Sequence, residues 1–406
     1  MSAGLKITLS VNGRFHAFDF AAALEARESL HCLMTSYPGA VTKRMAGLPS
    51  EKIRSLPWPE ALRRLHHVAS SFLPLGNPQF FLNASFDRWA SEHIPEGTNI
   101  FVGWSGNSLL SLRRAKERMI PTFLERHSAH IETQTEWLAD EYRKFGLAFH
   151  ATHPKLIEQE LREYAAADWI SVPSRFVRRT FLDKGIAEEK IRVHPLAVDT
   201  VKFRPVPHQS KKLRFFYGGQ LSLRKGIPYL FEAFQNLGGR EAELMLVGDC
   251  DPELEPILAR FAPTGIVRLP AQDSDRFAGL LASSDLVCLP SIEDGFNQVA
   301  VQAMACGVPV MASTNTGASE LIDEGRSGFL VPPCDARAIR DRMDWALLHR
   351  EDLRAMGEFA RSKMVHTSTW ERYAESRVEE FAELIATGSL TTEYSMGGRG
   401  SSSSSS

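Results

Sequence analysis

The stretch LVCLPSIEDGFNQVAVQAMACGVPV, residues 286–310, combines features of a strand, a turn and a helix. Leu286–Leu289 is a short apolar run closed by a Pro-Ser pair, which predicts a buried parallel strand. Glu293 and Asp294 follow, and the small residues from Phe296 onward predict a helix that ends at a glycine. Two carboxylates therefore precede a helix N-terminus, whose unpaired N–H groups suit an anionic or hydroxyl-rich ligand.

This stretch resembles the signature of the retaining family-four glycosyltransferases of the GT-B fold, the glycosyl transferases group 1. That signature runs Pro-Ser, two variable residues, Glu-Gly-Phe-Gly, a second Glu, then Ala-Met-Ala and Gly-x-Pro-Val. Asp294 stands in the first Glu position and Gln302 in the second. An ordinary Rossmann-like edge with a Gly-Phe turn is the alternative interpretation. The matching residues are Pro290, Ser291, Gly295, Phe296, Ala303, Met304, Ala305, Gly307, Pro309 and Val310.

The chain has 406 residues, of which 43% are hydrophobic and 24% charged, enough for two domains with separate cores. Its apolar runs are strand-sized, and its first residues lack the layout of a signal peptide, so a cytoplasmic protein is expected. Its 5 cysteines show no Cys-x-x-Cys spacing. This pattern indicates neither a disulfide framework nor a zinc site.

The net charge of −2 conceals a difference between the two halves of the sequence. Through Pro205 there are 27 Lys and Arg against 22 Asp and Glu, and after it 20 against 27. A basic N-terminal half fits an acidic acceptor or peripheral contact with the inner face of a membrane, although a solvated helix face explains it too. No nucleic-acid partner is expected, because aromatic residues are not interleaved. The densest basic cluster is Arg113, Arg114, Lys116 and Arg118.

A polar run in the N-terminal half, Glu125–His130, follows a strand predicted at Met119–Leu124. It resembles the Glu-Arg-Gly-Ser-Ser-His run with which a family subgroup faces the sugar across the cleft. His127 stands in the Gly position. The resemblance makes Arg126 and His130 candidates for the site, whereas a lone histidine is more often structural.

The C-terminal half alternates between strand-like and helical patterns. Such alternation predicts a parallel sheet with helices on both faces. The predicted strands are Leu213–Tyr217, Glu243–Val247, Ile266–Leu269, Leu286–Leu289, Val310–Ala312 and Phe329–Val331.

The exit of the first of these strands resembles the family's Gly-Arg-Leu-x-x-x-Lys-Gly, whose Arg and Lys hold the donor diphosphate. Lys225 matches the lysine, while Gln220 takes the arginine position and Arg224 is a candidate replacement. A cation is needed here because a leaving diphosphate gains charge in the transition state. The alternative is an exposed basic pair at a helix start. Gly219, in the same turn, is expected to contact the donor.

A second turn, Thr314–Leu321, resembles the family's other phosphate-binding turn. Its small residues predict the start of a helix whose free amides Glu320 can cap. The backbone N–H groups of Gly317, Ala318 and Ser319 would then face the diphosphate.

The resemblance implies the role of each candidate residue. Asp294 would hold sugar hydroxyls, with the backbone amides of Phe296 and Asn297, and neighbouring Glu293 could substitute for it. No cofactor and no metal are expected, because Lys225 and two helix N-termini supply positive charge. The candidate catalytic residues are Asp294, Lys225, Arg224 and His130. The candidate substrate-binding residues are Gly219, Gln220, Arg126, Gly295, Phe296, Asn297, Gln302 (at the ribose), Gly317, Ala318 and Ser319.

The expected fold is α/β, the GT-B arrangement of two Rossmann-like domains facing across a cleft. Residues 1–203 would form the acceptor-side domain and 204–370 the nucleotide-sugar domain. Residues 371–386 would form a helix returning to the first domain. A disordered tail is expected at 387–406, which is rich in Gly and Ser.

The expected activity is transfer of a sugar from a UDP- or GDP-sugar to an acceptor hydroxyl with retention of configuration. The acceptor would be a glycan, a lipid-linked sugar or a small molecule. Two other functions fit the sequence: a nucleotide-sugar epimerase or hydrolase of the same fold, and a donor-binding subunit that has lost catalysis. The departures at Gln220, Asp294 and Gln302 motivate the latter, and the intact Lys225 argues against it.

Overall fold

The computed structural model describes residues 4–70, 76–149, 152–207, 211–235, 237, 241–261 and 264–387. The chain divides into two compact units, the first formed by residues 1–124, 165–168 and 374–406, the second by 125–164 and 169–373. The domain limits given above rest on the family resemblance and stay a prediction. Apart from Thr387, the tail expected to be disordered lies outside the described residues.

Across the described residues the strands form two sheets, and nine of the pairings between neighbouring strands are parallel. One sheet has seven strands in the order β3-β2-β1-β4-β5-β6-β7, and the other has six in the order β10-β9-β8-β11-β12-β13. The strands are β1 Ile7–Val11, β2 Leu30–Thr35, β3 Ile53–Ser55, β4 Ile100–Trp104, β5 Thr122–Glu125, β6 Trp169–Val172, β7 Ile191–Val193, β8 Leu213–Gly218, β9 Ala242–Val247, β10 Ile266–Leu269, β11 Leu286–Leu289, β12 Val310–Ser313 and β13 Gly328–Val331.

Helices occupy most of the connections between strands, as is usual for crossovers between parallel strands. The α-helices are α1 Ala17–Glu25, α2 Gly39–Ala46, α3 Trp58–Ser70, α4 Gln79–Glu92, α5 Leu109–Glu117, α6 Ile131–Lys144, α7 Pro154–Ala166, α8 Arg175–Leu182, α9 Ile227–Phe234, α10 Glu255–Leu258, α11 Ser274–Ala282, α12 Gln298–Ala305, α13 Ala336–Leu348, α14 Arg350–Thr367 and α15 Trp370–Ala386. Short 3₁₀ helices lie at Ser50–Lys52, Glu188–Lys190, Pro252–Leu254 and Gly317–Glu320.

The predicted strands of the six-stranded sheet agree with the structure to within one residue, and β10 and β11 have the predicted limits. The fold class predicted from this alternation is confirmed. Strands β2, β3 and β7 were not predicted. β3 has only three residues, too few to show a periodic pattern.

The C-terminal helix α15 buries one face, as its apolar period predicts. Ala374, Val378 and Phe381 are buried, and the Phe123 and Phe381 rings meet at a centroid distance of 4.6 Å. Ile385, which the same apolar period places on this face, is 39% exposed. It lies in the last turn of the helix.

The basic cluster of α5 is largely paired with protein groups. Arg114 contacts Glu117 at 2.9 Å, Lys116 contacts Asp168 at 2.8 Å, and Arg118 donates to two backbone carbonyls. These contacts favour the solvated-face interpretation. Across the described residues, each helix is too short or too polar to cross a bilayer.

Candidate active site

The candidate site lies within the second compact unit, at the carboxyl ends of three neighbouring strands. β8 pairs with β11, and β11 pairs with β12, all in parallel. All four residues of β11 are buried, which fixes the point where the chain leaves the sheet. Parallel neighbours end at the same edge, so the loops that follow these strands meet there.

Lys225 and Asp294 form an ion pair in which the ammonium group donates to Oδ2 of the carboxylate. Burial by itself would raise the pKa of Asp294, but Lys225 and Arg224 outweigh it and hold the pKa below its ordinary value. Asp294 is therefore a carboxylate at neutral pH, next to the lysine expected to bind phosphate.

Asp294 also shapes the start of helix α12. Its Oδ1 accepts a hydrogen bond from the backbone N–H of Asn297 at 3.1 Å. Asn297 has φ 61°, a left-handed conformation that Asn tolerates better than most residues. The helix therefore begins at Gln298, two residues later than the sequence suggested at Phe296. An amide predicted to bind the donor is here bonded to Asp294.

Three glycines allow the backbone segments of the site to approach closely. A Cβ atom on Gly295 would lie 2.1 Å from the His127 carbonyl oxygen, and one on Gly317 would lie 2.2 Å from the Gly295 carbonyl oxygen. A Cβ atom on Gly226 would lie 2.0 Å from the carbonyl oxygen of Pro290. The Gly317 N–H donates to the Asp294 carbonyl at 3.0 Å. These positions need glycine because neighbouring backbone leaves no space.

Glu293, which the sequence offered only as a substitute for Asp294, is a functional candidate in its own right. It is 0% exposed, and its carboxylate accepts from the Ala129 N–H at 2.7 Å and from Gln134 Nε2 at 2.9 Å. It also accepts from Nε of Arg224 at 2.9 Å. Glu293 is thus fully engaged and does not stand ready to replace Asp294. In the sequence it is marked only as the neighbour of Asp294.

Arg224 connects this buried acid to the polar run of the N-terminal half. In addition to its bond to Glu293, its NH2 donates to Oγ of Ser128 at 3.0 Å. The Arg224 side chain keeps 30% of its surface exposed. Within the described residues its NH1 nitrogen has no acceptor. Arg224 is therefore held in place and still has donors to offer.

Arg126 is buried among protein acceptors. Its NH1 contacts Glu160 at 2.7 Å, and its NH2 donates to the Ala129 carbonyl at 3.0 Å and to Gln134 Oε1 at 2.8 Å. Burial would lower the pKa of Arg126, but Glu160 outweighs it and the pKa is raised. The structure brings Arg126 to the site through Gln134 and Glu293, and its role toward substrate stays a prediction.

His130 is the N-cap of helix α6, where its Nδ1 accepts from the Glu132 N–H at 3.4 Å. The residue is 1% exposed, and its ring lies 5.1 Å from the Tyr164 ring and 5.0 Å from the Phe181 ring. Burial, then Arg126, lowers the pKa of His130 to about 4. The imidazole is neutral at pH 7, and its catalytic role stays a prediction.

Gln220 lies in the turn after β8, where its Nε2 donates to Asp251 Oδ1 at 2.7 Å. Gly219 has φ 132°, which lets the turn form. Burial raises the pKa of Asp251, and the Gln220 hydrogen bond opposes that shift. The Gln220 side chain is thus bonded away from the Lys225–Asp294 pair.

The second predicted phosphate turn forms a short 3₁₀ helix, Gly317–Glu320, and not the start of an α-helix. The predicted use of Glu320 as the cap of its own helix is wrong. Its Oε1 accepts from the Phe176 N–H at 2.7 Å and so caps α8. Ala318 is buried and Ser319 is partly exposed in this turn.

A pocket of about 550 Å³ adjoins the turn. Phe296 and Gly317 line it, together with Arg175 of α8 and Glu320. Gln302 lies on α12 and is partly exposed. The structure therefore brings two site residues to a cavity, while the ribose contact expected of Gln302 stays a prediction.

Comparison with known proteins shows which family part of the chain resembles. Residues 199–363 match the family model described as "Glycosyl transferases group 1". The chain is 29% identical over 222 residues to the MMP alpha-(1->4)-mannosyltransferase of Mycolicibacterium hassiacum, covering 53% of this chain and 54% of that protein. It is 30% identical over 230 residues to the D-inositol 3-phosphate glycosyltransferase of Corynebacterium jeikeium, covering 49% and 53%. These matches span about half the length of each relative.

Solved structures share the architecture across nearly the whole chain. Sucrose-phosphate synthase from Thermosynechococcus elongatus superposes with a TM-score of 0.71 at 19% identity, covering 95% of this chain and 100% of that one. The Anabaena protein HepE in complex with UDP gives 0.67 at 17% identity, covering 94% and 100%. At these identities the likeness concerns the fold. The resemblance seen in the sequence is confirmed for residues 199–363, which match the glycosyl transferases group 1 family model, and the chain shares the two-sheet α/β fold of these solved structures.

Proposed function

We propose that the chain transfers a sugar from a nucleoside-diphosphate sugar to an acceptor hydroxyl, with retention of anomeric configuration. One observation carries the proposal. The consecutive cations Arg224 and Lys225 pair with the consecutive carboxylates Glu293 and Asp294 where two neighbouring strands end. A cation beside a sugar-binding carboxylate is what departure of a diphosphate from a sugar requires.

The proposed chemistry assigns each group to one end of the breaking bond. Lys225 and Arg224 stabilise the charge that develops on the diphosphate as the bond from the anomeric carbon to the phosphate oxygen breaks. The acceptor oxygen forms its bond to that carbon on the same face. Its proton passes to the departing phosphate oxygen. Asp294 orients the sugar by accepting from its hydroxyls.

The comparisons support a nucleotide-sugar donor without identifying it. HepE has been solved with UDP and with UDP-glucose, and the named relatives are glycosyltransferases. We therefore propose a UDP- or GDP-sugar as donor and a glycan or lipid-linked sugar as acceptor. Peripheral contact with an acidic membrane surface belongs to the same proposal. Sedimentation with vesicles that contain or lack an acidic lipid tests it.

A donor screen followed by a transfer assay tests the proposed activity. UDP- and GDP-sugars that bind should raise the melting temperature, because they favour the folded state. With a binding donor, we expect a glycosylated product only when acceptor is present, and NMR should show the anomeric configuration of the donor retained. Equally fast donor consumption without acceptor would instead identify a hydrolase or epimerase. Binding without turnover would identify a donor-binding subunit.

A further inference from the structure

We infer that Glu293 is a positioning residue that holds Arg224 in its reactive orientation, an inference that rests on the proposed function. The Glu293 network is defined as Arg126, Ser128, Gln134, Arg224 and Glu293. Its bonds form a continuous chain: Arg126 donates to Gln134, Gln134 and Arg224 donate to Glu293, and Arg224 also donates to Ser128.

The charge of Glu293 excludes a direct role at the phosphates, because a carboxylate there would repel the leaving group. Its complete burial makes an unpaired state costly, so it remains bonded to its three donors. The Ala129 N–H donates to Oε1, and the Gln134 amide donates to Oε2, so both carboxylate oxygens are held. Nε of Arg224 donates to the same Oε2, whose position is thereby set by Gln134.

The plane of the Arg224 guanidinium group is thus fixed. Nε and NH2 are both bonded to protein, which leaves NH1 as the nitrogen without an acceptor in the described part of the chain. A guanidinium fixed at two points loses little entropy when it binds a phosphate oxygen. Glu293 therefore acts on the reaction through Arg224. Ala129 and Gln134 act through Glu293, whereas Ser128 holds Arg224 directly.

The test is a double-mutant cycle between Glu293→Gln and Arg224→Met, measured as kcat and KM for the donor. The glutamine replaces one acceptor oxygen of Glu293 with an NH2 group, which is itself a donor. It therefore cannot accept all three hydrogen bonds that Glu293 accepts. We expect Glu293→Gln to lower kcat on the order of 100-fold, with KM changed by less than about threefold. Arg224→Met should cause a similar loss. The double variant should be no worse than Arg224→Met alone, because one interaction is removed twice.

A matched control is an ion pair at the other end of the same sheet, where its strands begin. Arg214 and Glu243, near the starts of β8 and β9, form a partly buried pair at 2.5 Å. Glu243→Gln should lower the melting temperature without changing kcat. Glu293→Asp, which keeps the charge but shortens the side chain, should give an intermediate loss of kcat and serves if Glu293→Gln does not fold.

The outcomes separate this inference from the proposed function. If the wild-type enzyme transfers sugar and the effects of Glu293→Gln and Arg224→Met multiply, Glu293 does not act through Arg224 and the inference is wrong. A change in stability alone, with kcat kept, would overturn it as well. A wild-type protein that transfers no sugar from any donor it binds would overturn the proposed function, and this assignment with it.

Discussion

Lys225 donates a hydrogen bond to the carboxylate of Asp294, so the residues proposed to act on the diphosphate and on the sugar are bonded to each other. They are 69 positions apart in the sequence. Each follows a strand of the same sheet, and the two strands are neighbours. The pairing keeps both charges in place at the edge of the sheet, where a donor must meet them together.

Lys225→Ala should lower kcat on the order of a hundredfold or more, because the charge that stabilises the leaving diphosphate is lost. Arg224→Ala should also be damaging. Steady-state kinetics measure the effect, and circular dichroism checks that the fold is intact. Near-normal turnover in both folded variants would remove the diphosphate assignment.

Asp294→Asn and Gln302→Glu should have different effects. The asparagine weakens the bond to Lys225 and the contact with the reacting sugar, so kcat should fall more than KM rises. The glutamate should tighten donor binding by about 1 kcal/mol with little change in kcat, because its contact with the ribose becomes charge-assisted. Kinetics with the donor varied distinguish them. A silent Asp294→Asn together with an inactive Gln302→Glu would show that the roles are wrongly assigned.

Gly295→Ala and Gly317→Ala should each destabilise the protein by more than about 2 kcal/mol, because backbone carbonyls occupy the space of the new methyl group. Gly279→Ala is the matched control. It lies inside helix α11 with nothing within 4 Å of its Cβ position, so alanine should stabilise by about 1 kcal/mol. Chemical denaturation measures all three. Unchanged stability in the first two would mean that the loops can separate.

The stability of the protein should fall as the pH is lowered from 6.5 to 4. Folding lowers the pKa of His130 from 6.5 to about 4, so the unfolded chain binds more protons in this window. The stabilisation is present above pH 6.5 and is lost as the pH approaches 4. His130→Asn keeps an N-cap acceptor and removes the titration. Its melting temperature should therefore depend less on pH across this window than that of the wild type, and equal slopes would contradict the assignment.

Transfer should not require a divalent metal, because Lys225 and Arg224 supply positive charge at the proposed diphosphate site. Activity measured with excess chelator should equal that measured without it. Loss of activity with chelator, followed by recovery with manganese, would show that a metal shares this task.

The candidate site was predictable in part because its motifs are local. The pattern around Asp294 identifies a strand, a turn and a helix start, and Lys225 stands between glycines after the preceding strand in the sheet. Both can be read from neighbouring residues. The helix start was misplaced at Phe296 because the cap depends on a bond from Asn297 to Asp294 and on a left-handed backbone. Neither follows from the order of residue types.

The sequence by itself determined the parallel strands of the C-terminal half, the loops that follow them and the resemblance to the glycosyl transferases group 1. These depend on apolar runs, helical periods and turn residues, all local in the chain. Only the tertiary structure decided the partners of Glu293, since its donor Ala129 lies 164 positions away. It also decided the protonation state of His130, whose neutral ring packs against Tyr164 and Phe181. Which buried acid meets which donor, and how far burial moves a pKa, depend on packing between segments distant in sequence.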